Sequence, residues 1–535
     1  MVRRVPSTIF FLLVALLWGI IIVLMRPWGD FPLNDDWSFA WSVKRLLDGN
    51  GLQLLSNMDK LLYFQVLLGA AASMIFGFSF VTLRFVSLGC ALIAFWSLWW
   101  LLQQAGVSAK NTFIAVLVLM VNPWFMNLSF TFMTDVPALA FLLLAVALMI
   151  RGFKLDKPIL IILANLSALG SMFIRQTGAL FFLAAIIALT LNIKRKQSKH
   201  SLLITLIFIV IAEGIYLWLG HIRLLPQATE THLLNLHELL PHIVLSLKYA
   251  LLYLGLLLLP ILAGVALARW KVFMDGKTIG WLILTGSIVA YFWNKGAYFP
   301  YMGNVIVRQG LGPTGDVLQG TESVMFPLWV WQVLSILSAI GAALLLRFLV
   351  YTKLSFLKNR RFPFDIVLVG SLAGLQFLLV LVVKGQDRYL LPALAFFIAY
   401  IGLYYKNFRI NLLATLYIGT IMGIYSFVGT QNYLRWNEVR WSEANTLVAQ
   451  GIDTSKIEAG YEWCGWQLHV RSLGMEITHN PSKPWYLNHV CQINTAEYVI
   501  SFSELAGYEV IKKTTYPSLY DTSPWLFVLK KERGI

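Results

Sequence analysis

The stretch STIFFLLVALLWGIIIVLM, residues 7–25, contains no charged side chain and is apolar from end to end. About 20 apolar residues are needed for a helix to cross the hydrocarbon core of a bilayer. The run is too long for the apolar core of a signal peptide, and no small-residue cleavage site follows it. We therefore interpret it as a retained first membrane-spanning helix.

The rest of the chain has the same apolar character. Of its 535 residues, 58% are hydrophobic and only 13% are charged, and the mean hydropathy is +0.71. A soluble domain usually has about 25% charged residues. The net charge of +16 would suggest nucleic acid in a soluble protein. Here the cations form short clusters between apolar runs, which is typical of cytoplasmic loops. The composition thus predicts a polytopic membrane protein whose first partner is the lipid bilayer, with no nucleic-acid partner.

The basic clusters also predict the topology, because loops rich in Lys and Arg stay in the cytoplasm. Arg3 and Arg4 place the N-terminus inside. If residues 61–80 form a juxtamembrane helix, every later basic cluster falls inside, and if they span, every one faces out. We choose the first alternative, which gives about 13 spans. They lie near 7–26, 84–104, 111–128, 133–150, 158–174, 177–193, 201–220, 243–267, 278–294, 326–349, 364–383, 388–405 and 410–429.

This topology predicts two domains. Residues 1–429 would form an all-α polytopic membrane bundle with a long first external loop, 27–83. Residues 430–535 would form a small extracytoplasmic α/β domain, because strand-like runs begin at Tyr498 and Trp525. Cys464 and Cys491 lie in this domain and can pair in an oxidising compartment, which the sequence alone does not decide.

Ionisable side chains gather at the predicted outer ends of the spans, where they are costly unless paired or functional. These candidate site residues are Asp35, Asp36, Lys60, Asp135, Arg175 and Arg388. A carboxylate can act as a general base, and cations can bind a phosphate. Apolar walls beside them suit a lipid tail. The pattern favours transfer of a group from a lipid-linked phosphate onto an acceptor at the outer surface.

Each of these residues also has a purely structural interpretation. Asp35 and Asp36 are favoured residues for capping the start of a helix. Asp135 stands two residues before a proline, a common helix start. Arg175 and Arg388 can reach the membrane interface as extended side chains. Their occurrence together on one predicted face favours a polar active site.

Three short motifs carry a resemblance to a known family. They are Asn34-Asp35-Asp36-Trp37, Phe132-Met-Thr-Asp135-Val-Pro137 and Arg388-Tyr-Leu-Leu-Pro392. In these motifs and in topology the chain resembles the GT-C superfamily of membrane glycosyltransferases, and within it the protein O-mannosyltransferase and lipid A aminoarabinose transferase group. Many relatives carry Asp-Lys-Pro-Pro-Leu in the juxtamembrane region. Here the stretch is Asp59-Lys60-Leu61-Leu62-Tyr63, so the lysine matches and the prolines do not.

The resemblance implies a polyprenyl-phosphate sugar as donor and a lipid, glycan or protein as acceptor. Asp35 or Asp36 would be the base, and Asp135 would support the acceptor or a cation. The donor phosphate would be neutralised by Lys60, Arg175 and Arg388. Direct displacement would invert the anomeric centre. No obligatory metal is predicted, with a divalent metal as the alternative.

The location of the basic loops predicts a multi-pass protein of the plasma (inner) membrane whose active face and C-terminal domain lie outside. An endoplasmic reticulum membrane with a lumenal site would give the same topology. Two other functions stay open. A transporter or flippase often shows inverted repeats, and no duplicated half is visible here. A non-catalytic envelope assembly protein would tolerate loss of the three aspartates. The external loop 294–325 is either a cover over a substrate or a plain connector.

Overall fold

The computed structural model describes the chain except for residues 1–6, 56–60, 223–235, 274, 360–362, 384, 407–409, 474–479, 481–482, 523 and 533–535. The helices of the described part are α1 (Ser7–Met25), α2 (Asp36–Leu47), α3 (Tyr63–Phe76), α4 (Phe80–Gln104), α5 (Ala109–Met120), α6 (Pro123–Ser129), α7 (Asp135–Leu155), α8 (Pro158–Met172), α9 (Leu180–Leu191), α10 (Lys196–His221), α11 (Leu236–Ala268), α12 (Trp270–Phe273), α13 (Gly276–Trp293), α14 (Leu328–Asn359), α15 (Phe364–Val382), α16 (Leu391–Tyr404), α17 (Leu412–Ala449), α18 (Tyr461–Ser472) and α19 (Trp485–His489). Short 3₁₀ turns at Gln176–Ala179 and Asp387–Leu390 lead into α9 and α16.

The predicted fold class, a helical membrane bundle with a small C-terminal sheet, is confirmed. Eight helices of the described part are long and apolar enough to cross a membrane, or nine if α5 and α6, which meet at 66°, form one broken span. A helix lies at each of the thirteen predicted spans, but some, such as the 15-residue α8, are shorter than a full span. The number thirteen is therefore not confirmed.

Glycine residues allow two long helices of the bundle to approach each other closely. Helices α11 and α14 meet at Gly255 and Gly341, and a Cβ added to Gly341 would lie 2.1 Å from the carbonyl oxygen of Gly255. Small residues allow this approach, which is how helices associate in a membrane without a hydrophobic driving force. Polar caps define other helix starts: Ser79 accepts a hydrogen bond from the amide of Thr82 at the start of α4.

The segment predicted to be the first external loop, residues 27–83, contains two helices. Residues 61–80, predicted to be juxtamembrane, form the 14-residue α3, which is too short to span a bilayer. Helix α2 precedes it and begins at the acidic pair. Both helices lie on the bundle, since α3 packs against α2 and α4.

The C-terminal segment combines helices with a four-stranded sheet. Its strand order is β3 (Ile457–Glu458), β4 (Tyr498–Ser501), β6 (Trp525–Lys531) and β5 (Tyr508–Thr515). The first pair is parallel, and the other two pairs are antiparallel. The two strands expected from the sequence are β4 and β6. A two-stranded hairpin, β1 (Ile306–Val307) with β2 (Gly310–Leu311), lies within residues 294–325, the segment predicted to be an external loop.

The predicted domain boundary at residue 429 falls inside a continuous helix. Helix α17 runs from Leu412 to Ala449 without a break, and so links the bundle to the C-terminal segment. A disulfide joins Cys464 on α18 to Cys491, which decides the pairing that the sequence left open. The remaining cysteine, Cys90, is buried in α4.

Candidate functional site

Asp35 stands at the N-cap position of α2, but its side chain makes no capping hydrogen bond. Instead its Oδ1 accepts a hydrogen bond of 2.9 Å from the hydroxyl of Tyr461 in the C-terminal segment. The Asp35 side chain is 21% exposed. The capping interpretation therefore does not account for this carboxylate, which is held from outside its own helix and reaches solvent.

Asp36 has a different environment from its neighbour. It is buried, and its Oδ2 accepts the backbone N–H of Phe132 at 2.9 Å. Burial raises the pKa of Asp36 to about 8, against the opposing effects of the Phe132 amide and the Arg84 guanidinium. At neutral pH the Asp36 carboxyl thus carries its proton.

Asp135 is the first residue of α7, and its side chain pairs with an arginine. Its Oδ1 accepts a hydrogen bond from Nη1 of Arg175. The same nitrogen donates to the hydroxyl of Thr134 at 3.3 Å. The guanidinium lies over the ring of Tyr389, 4.6 Å from its centroid. Arg175 is therefore turned into the protein, which does not fit the interpretation of an interfacial side chain extended towards water.

Arg388 lies between the two aspartates that the sequence placed far apart. Its Nη2 is 3.7 Å from Asp35 Oδ2, and its Nη1 is 3.8 Å from Asp135 Oδ2. Its Nε donates to Gln386 Oε1 at 2.9 Å. Within the described part of the chain, Arg388 Nη1 and Asp135 Oδ2 have no hydrogen-bond partner. The guanidinium is buried, with 3% of its side chain exposed, and still has donors to offer a ligand.

The next residue, Asp387, connects the loop between α13 and α14 to this cluster. Its carboxylate accepts the backbone N–H groups of Val305 and Ile306 at 3.1 and 2.8 Å and the indole N–H of Trp124 at 3.2 Å. Asp387 is not among the site residues predicted from the sequence. An aspartate at a predicted span end was the available signal.

Arg84 is a second residue that is not among those predicted from the sequence. It lies buried in α4 and donates to the carbonyls of Pro27, Gly29 and Phe31, at 2.7, 2.9 and 2.9 Å. These bonds hold the chain that leads from α1 into the acidic pair. An arginine at the start of an apolar run is an intramembrane ionisable residue, which is a functional or structural signal by default.

The C-terminal segment also binds the stretch between α1 and α2 that Arg84 contacts. Glu462 Oε1 accepts the backbone N–H of Asn34 at 2.8 Å, and its Oε2 is 2.9 Å from Arg440 Nη1 on α17. Both side chains of this ion pair are fully buried. No sequence pattern indicated that the C-terminal segment would contact the residues between α1 and α2.

The structure thus brings four of the six predicted site residues into one cluster, which we call the charged cluster: Asp35, Asp135, Arg175 and Arg388. Asp36 is adjacent in sequence to this cluster and is held by the Phe132 amide. Lys60 lies outside the described residues, so its predicted role stays a prediction.

An apolar groove of about 350 Å³ lies between α3, α8 and α10. Phe64, Phe173 and Trp218 are among its lining residues. The amide of Phe64 donates to the carbonyl of Phe173 at 3.1 Å, which joins α3 to the end of α8. Since Phe173 is two residues before Arg175, one end of the groove lies close in the chain to the charged cluster.

Within the residues that the structure describes, no group of three or more His, Cys, Asp or Glu side chains is placed to hold a metal ion. Asp35 and Asp135 each face an arginine. The positive charge beside these carboxylates comes from guanidinium groups of the chain itself.

Comparison with known proteins gives one family match. Residues 65–218 match the model of the dolichyl-phosphate-mannose-protein mannosyltransferase family. No curated protein was found that matches the chain at a significant level.

Several solved structures are similar in outline. ArnT from Cupriavidus metallidurans bound to undecaprenyl phosphate is 9% identical over 98% of both chains, with a TM-score of 0.49. The S. cerevisiae protein O-mannosyltransferase Pmt1-Pmt2 complex bound to the sugar donor is 14% identical over 44% of this chain and 36% of that chain, with a TM-score of 0.35. The Archaeoglobus fulgidus oligosaccharyltransferase is 12% identical over 92% and 64%, with a TM-score of 0.42.

The family match confirms the resemblance to GT-C membrane glycosyltransferases that the motifs indicated. The matched range includes Asp135 and Arg175 of the charged cluster.

Proposed function

We propose that the protein is an inverting glycosyltransferase that moves a sugar from a polyprenyl-phosphate donor to an acceptor on the outer side of the plasma membrane. The observation that carries this proposal is the position of Arg388 between Asp35 and Asp135. One carboxylate that reaches solvent and one buried cation with unused donors lie side by side, as a base and a phosphate ligand must in such a reaction.

The apolar groove supports a lipid-linked donor. A polyprenyl chain presents an apolar surface that the groove can take in, with its phosphate directed towards the charged cluster. Arg175 and Arg388 would bind the phosphate oxygens, and Lys60, close in the chain to groove residue Tyr63, would be a third cation. Arginine forks suit phosphate because they offer paired donors in a fixed plane.

The reaction follows from these positions. The acceptor hydroxyl oxygen attacks the anomeric carbon of the sugar, and its proton passes to the Asp35 carboxylate. The bond between that carbon and the phosphate oxygen breaks, and the polyprenyl phosphate leaves with the electron pair. The negative charge that develops on the phosphate is stabilised by the two guanidinium groups. Attack opposite to the leaving group inverts the anomeric centre.

Asp35 rather than Asp36 would be the base. Asp35 is partly exposed and adjoins Arg388, whereas Asp36 is buried and protonated at neutral pH. A carboxyl that already carries a proton cannot accept one. Asp36 would instead support the Phe132 backbone next to Asp135. The acceptor can be a lipid, a glycan or a protein.

The test is sugar release from polyprenyl-phosphate donors by the purified chain in lipid, with Asp35→Asn beside Asp36→Asn. A positioned general base contributes about 10²- to 10⁴-fold to a rate, so we expect Asp35→Asn to lose about that much. Asp36→Asn is the matched control, since its amide oxygen can still accept the Phe132 N–H. We expect it to keep its rate within about tenfold.

The opposite ranking of these two variants would make Asp36 the base and overturn the assignment. Wild-type turnover that neither variant reduces would remove both from the chemistry. Net flux of a lipid across proteoliposomes, without sugar release from any donor, would favour a flippase over the enzyme.

A further inference from the structure

Two consecutive residues at the start of α18 hold the acidic motif of the first external loop. The hydroxyl of Tyr461 donates to Asp35 Oδ1 at 2.9 Å, and the carboxylate of Glu462 accepts the backbone N–H of Asn34 at 2.8 Å. Asn34 has a positive φ of 54°, a conformation that costs energy for a residue with a Cβ. The contact with Glu462 stabilises that turn and so sets where α2 begins.

Tyr461 is itself fixed on the opposite side. Its backbone N–H donates to the carbonyl of Val317 in the external loop at 2.8 Å. The preceding residue, Gly460, has a φ of 95°, and a Cβ there would lie 2.5 Å from the same carbonyl oxygen. The close approach therefore requires glycine. Tyr461 thus binds Val317 through its main chain and Asp35 through its side chain.

The packing around Tyr461 leaves its ring little freedom. The ring meets Trp37, the residue after the acidic pair, edge-on at 6.0 Å, and lies 5.1 Å from the ring of Trp485. The Trp485 indole N–H donates to the carbonyl of Asp316 at 2.8 Å. Aromatic side chains held in this way place a hydroxyl in one position.

A fixed donor on one oxygen of Asp35 orients the other. With Oδ1 bound to Tyr461, Oδ2 is the oxygen that faces Arg388 at 3.7 Å. A base must present an oxygen to the proton that it removes, and small misplacements of reacting groups lower rates strongly.

We infer that Tyr461 is a positioning residue for Asp35, and that the C-terminal segment is therefore a working part of the catalytic site. This inference rests on the proposed function, in which Asp35 is the base. Tyr461 does not take part in the bond changes. It keeps the Asp35 carboxylate turned so that Oδ2 meets the acceptor hydroxyl.

The chain offers a matched control for the test. Tyr486 is a second buried tyrosine of the same segment, and its hydroxyl donates to the carboxylate Glu458 Oε1 at 2.8 Å. Tyr461→Phe and Tyr486→Phe each remove one buried hydroxyl from one carboxylate, and only the first touches the acidic pair. The experiment measures kcat, the KM for donor and acceptor, and the melting temperature of both variants in the full chain, beside wild type and Asp35→Asn.

We expect Tyr461→Phe to lower kcat by about tenfold to hundredfold, with both KM values within about twofold of wild type. We expect Tyr486→Phe to keep the wild-type kcat, while both variants show a similar change in melting temperature. Equal kcat values in the two variants, with Asp35→Asn inactive, would overturn the role of Tyr461 and leave the proposed function standing. Full activity in Asp35→Asn, or no turnover in wild type, would overturn the proposed function and this inference with it.

Discussion

The neighbouring residues Asp35 and Asp36 differ in burial. Asp36 lies inside the protein, whereas Asp35 is partly exposed. Asp36 is enclosed and pairs with a backbone amide, while Asp35 meets a tyrosine hydroxyl and Arg388. The family resemblance implied that one of the two would be a base. Burial distinguishes the two residues, and it depends on α7 and α18, which are far away in the chain.

The protonation of Asp36 predicts a pH dependence of stability. Its pKa is about 8 in the folded chain, against an ordinary value of 3.8. Between these values the folded state binds more protons than the unfolded state, so the free energy of unfolding falls as pH rises from about 4 to about 8. We expect the melting temperature of wild type to fall over that window more than that of Asp36→Asn, which cannot titrate.

The control for this experiment is Asp48→Asn at the end of the same helix, where the carboxylate is exposed and pairs with Lys44. It should show the wild-type dependence on pH. Parallel curves for wild type and Asp36→Asn would show that Asp36 is already ionised at neutral pH and would weaken the choice of Asp35 as the base.

Arg388 predicts a second effect at the residue scale. Arg388→Lys keeps one positive charge between Asp35 and Asp135 but loses the paired donors of the guanidinium. We expect sugar release to fall by about tenfold to hundredfold, because one donor to a developing oxyanion is worth about that much or more. Arg347→Lys is the matched control, since Arg347 forms an arginine–aspartate pair with Asp275, between α14 and the start of α13.

Arg347→Lys should keep the wild-type rate. A loss of the same size in both variants would indicate a general effect of weakening a buried ion pair. An unchanged rate in Arg388→Lys would exclude the paired donors from binding the donor phosphate.

At the scale of elements, the candidate site is a meeting point of helix ends. The start of α2 supplies Asp35, the start of α7 supplies Asp135, and the turn before α16 supplies Arg388. Helix ends suit such a site because the backbone N–H or C=O groups of the terminal turn have no hydrogen-bond partner within the helix. The sequence indicated these ends through changes from apolar to polar residues. It did not indicate α18, whose Tyr461 binds Asp35 of the charged cluster.

The disulfide between Cys464 and Cys491 holds α18 to the segment that follows it. A disulfide that closes a loop of this length typically stabilises a fold by about 2–4 kcal/mol. We expect a reducing agent to lower the melting temperature of wild type and to have little effect on the Cys464→Ser/Cys491→Ser variant, which starts from the lower value. Sugar release should fall with reduction, because α18 carries Tyr461 and Glu462.

Cys90→Ala is the control for this prediction, since Cys90 is a buried free thiol in α4. It should keep the full response to reductant. Alkylation of both Cys464 and Cys491 in the unreduced full chain would contradict the bond itself.

At the scale of the whole molecule, the clusters of Lys and Arg and the charged cluster lie at opposite predicted ends of the helices. Loops rich in basic residues stay inside, and this rule predicts that the site and the C-terminal segment lie outside. We expect cysteines introduced at Lys196 and Glu509, both exposed, to react from opposite sides of the membrane in a Cys90→Ala background. The Glu509 position should react with an impermeant reagent in intact cells, and the Lys196 position only after lysis.

Labelling of Lys196→Cys in intact cells would show that the topology is the inverse of the predicted one and that the site lies on the cytoplasmic face. Reaction of both positions from the same side would require an even number of spans between them. The disulfide stays intact in this background, so the reporter does not disturb α18.

The sequence by itself determined the class of protein and most of its helices. Apolar length and charge are local properties, and the bilayer converts them directly into spans and loops. The same locality explains why Asp35, Asp135, Arg175 and Arg388 could be named as candidates, since each is an ionisable residue at the end of an apolar run.

Only the tertiary structure decided which of these residues meet and what holds them. Arg388 contacts Asp35 and Asp135 across hundreds of residues of chain, and Tyr461 and Glu462 reach back to the first external loop. Burial and pairing depend on elements that pack together from distant parts of the chain, and no local pattern encodes that packing. For this reason the sequence predicted a site at the outer ends of the helices, and the fold alone included the C-terminal segment in it.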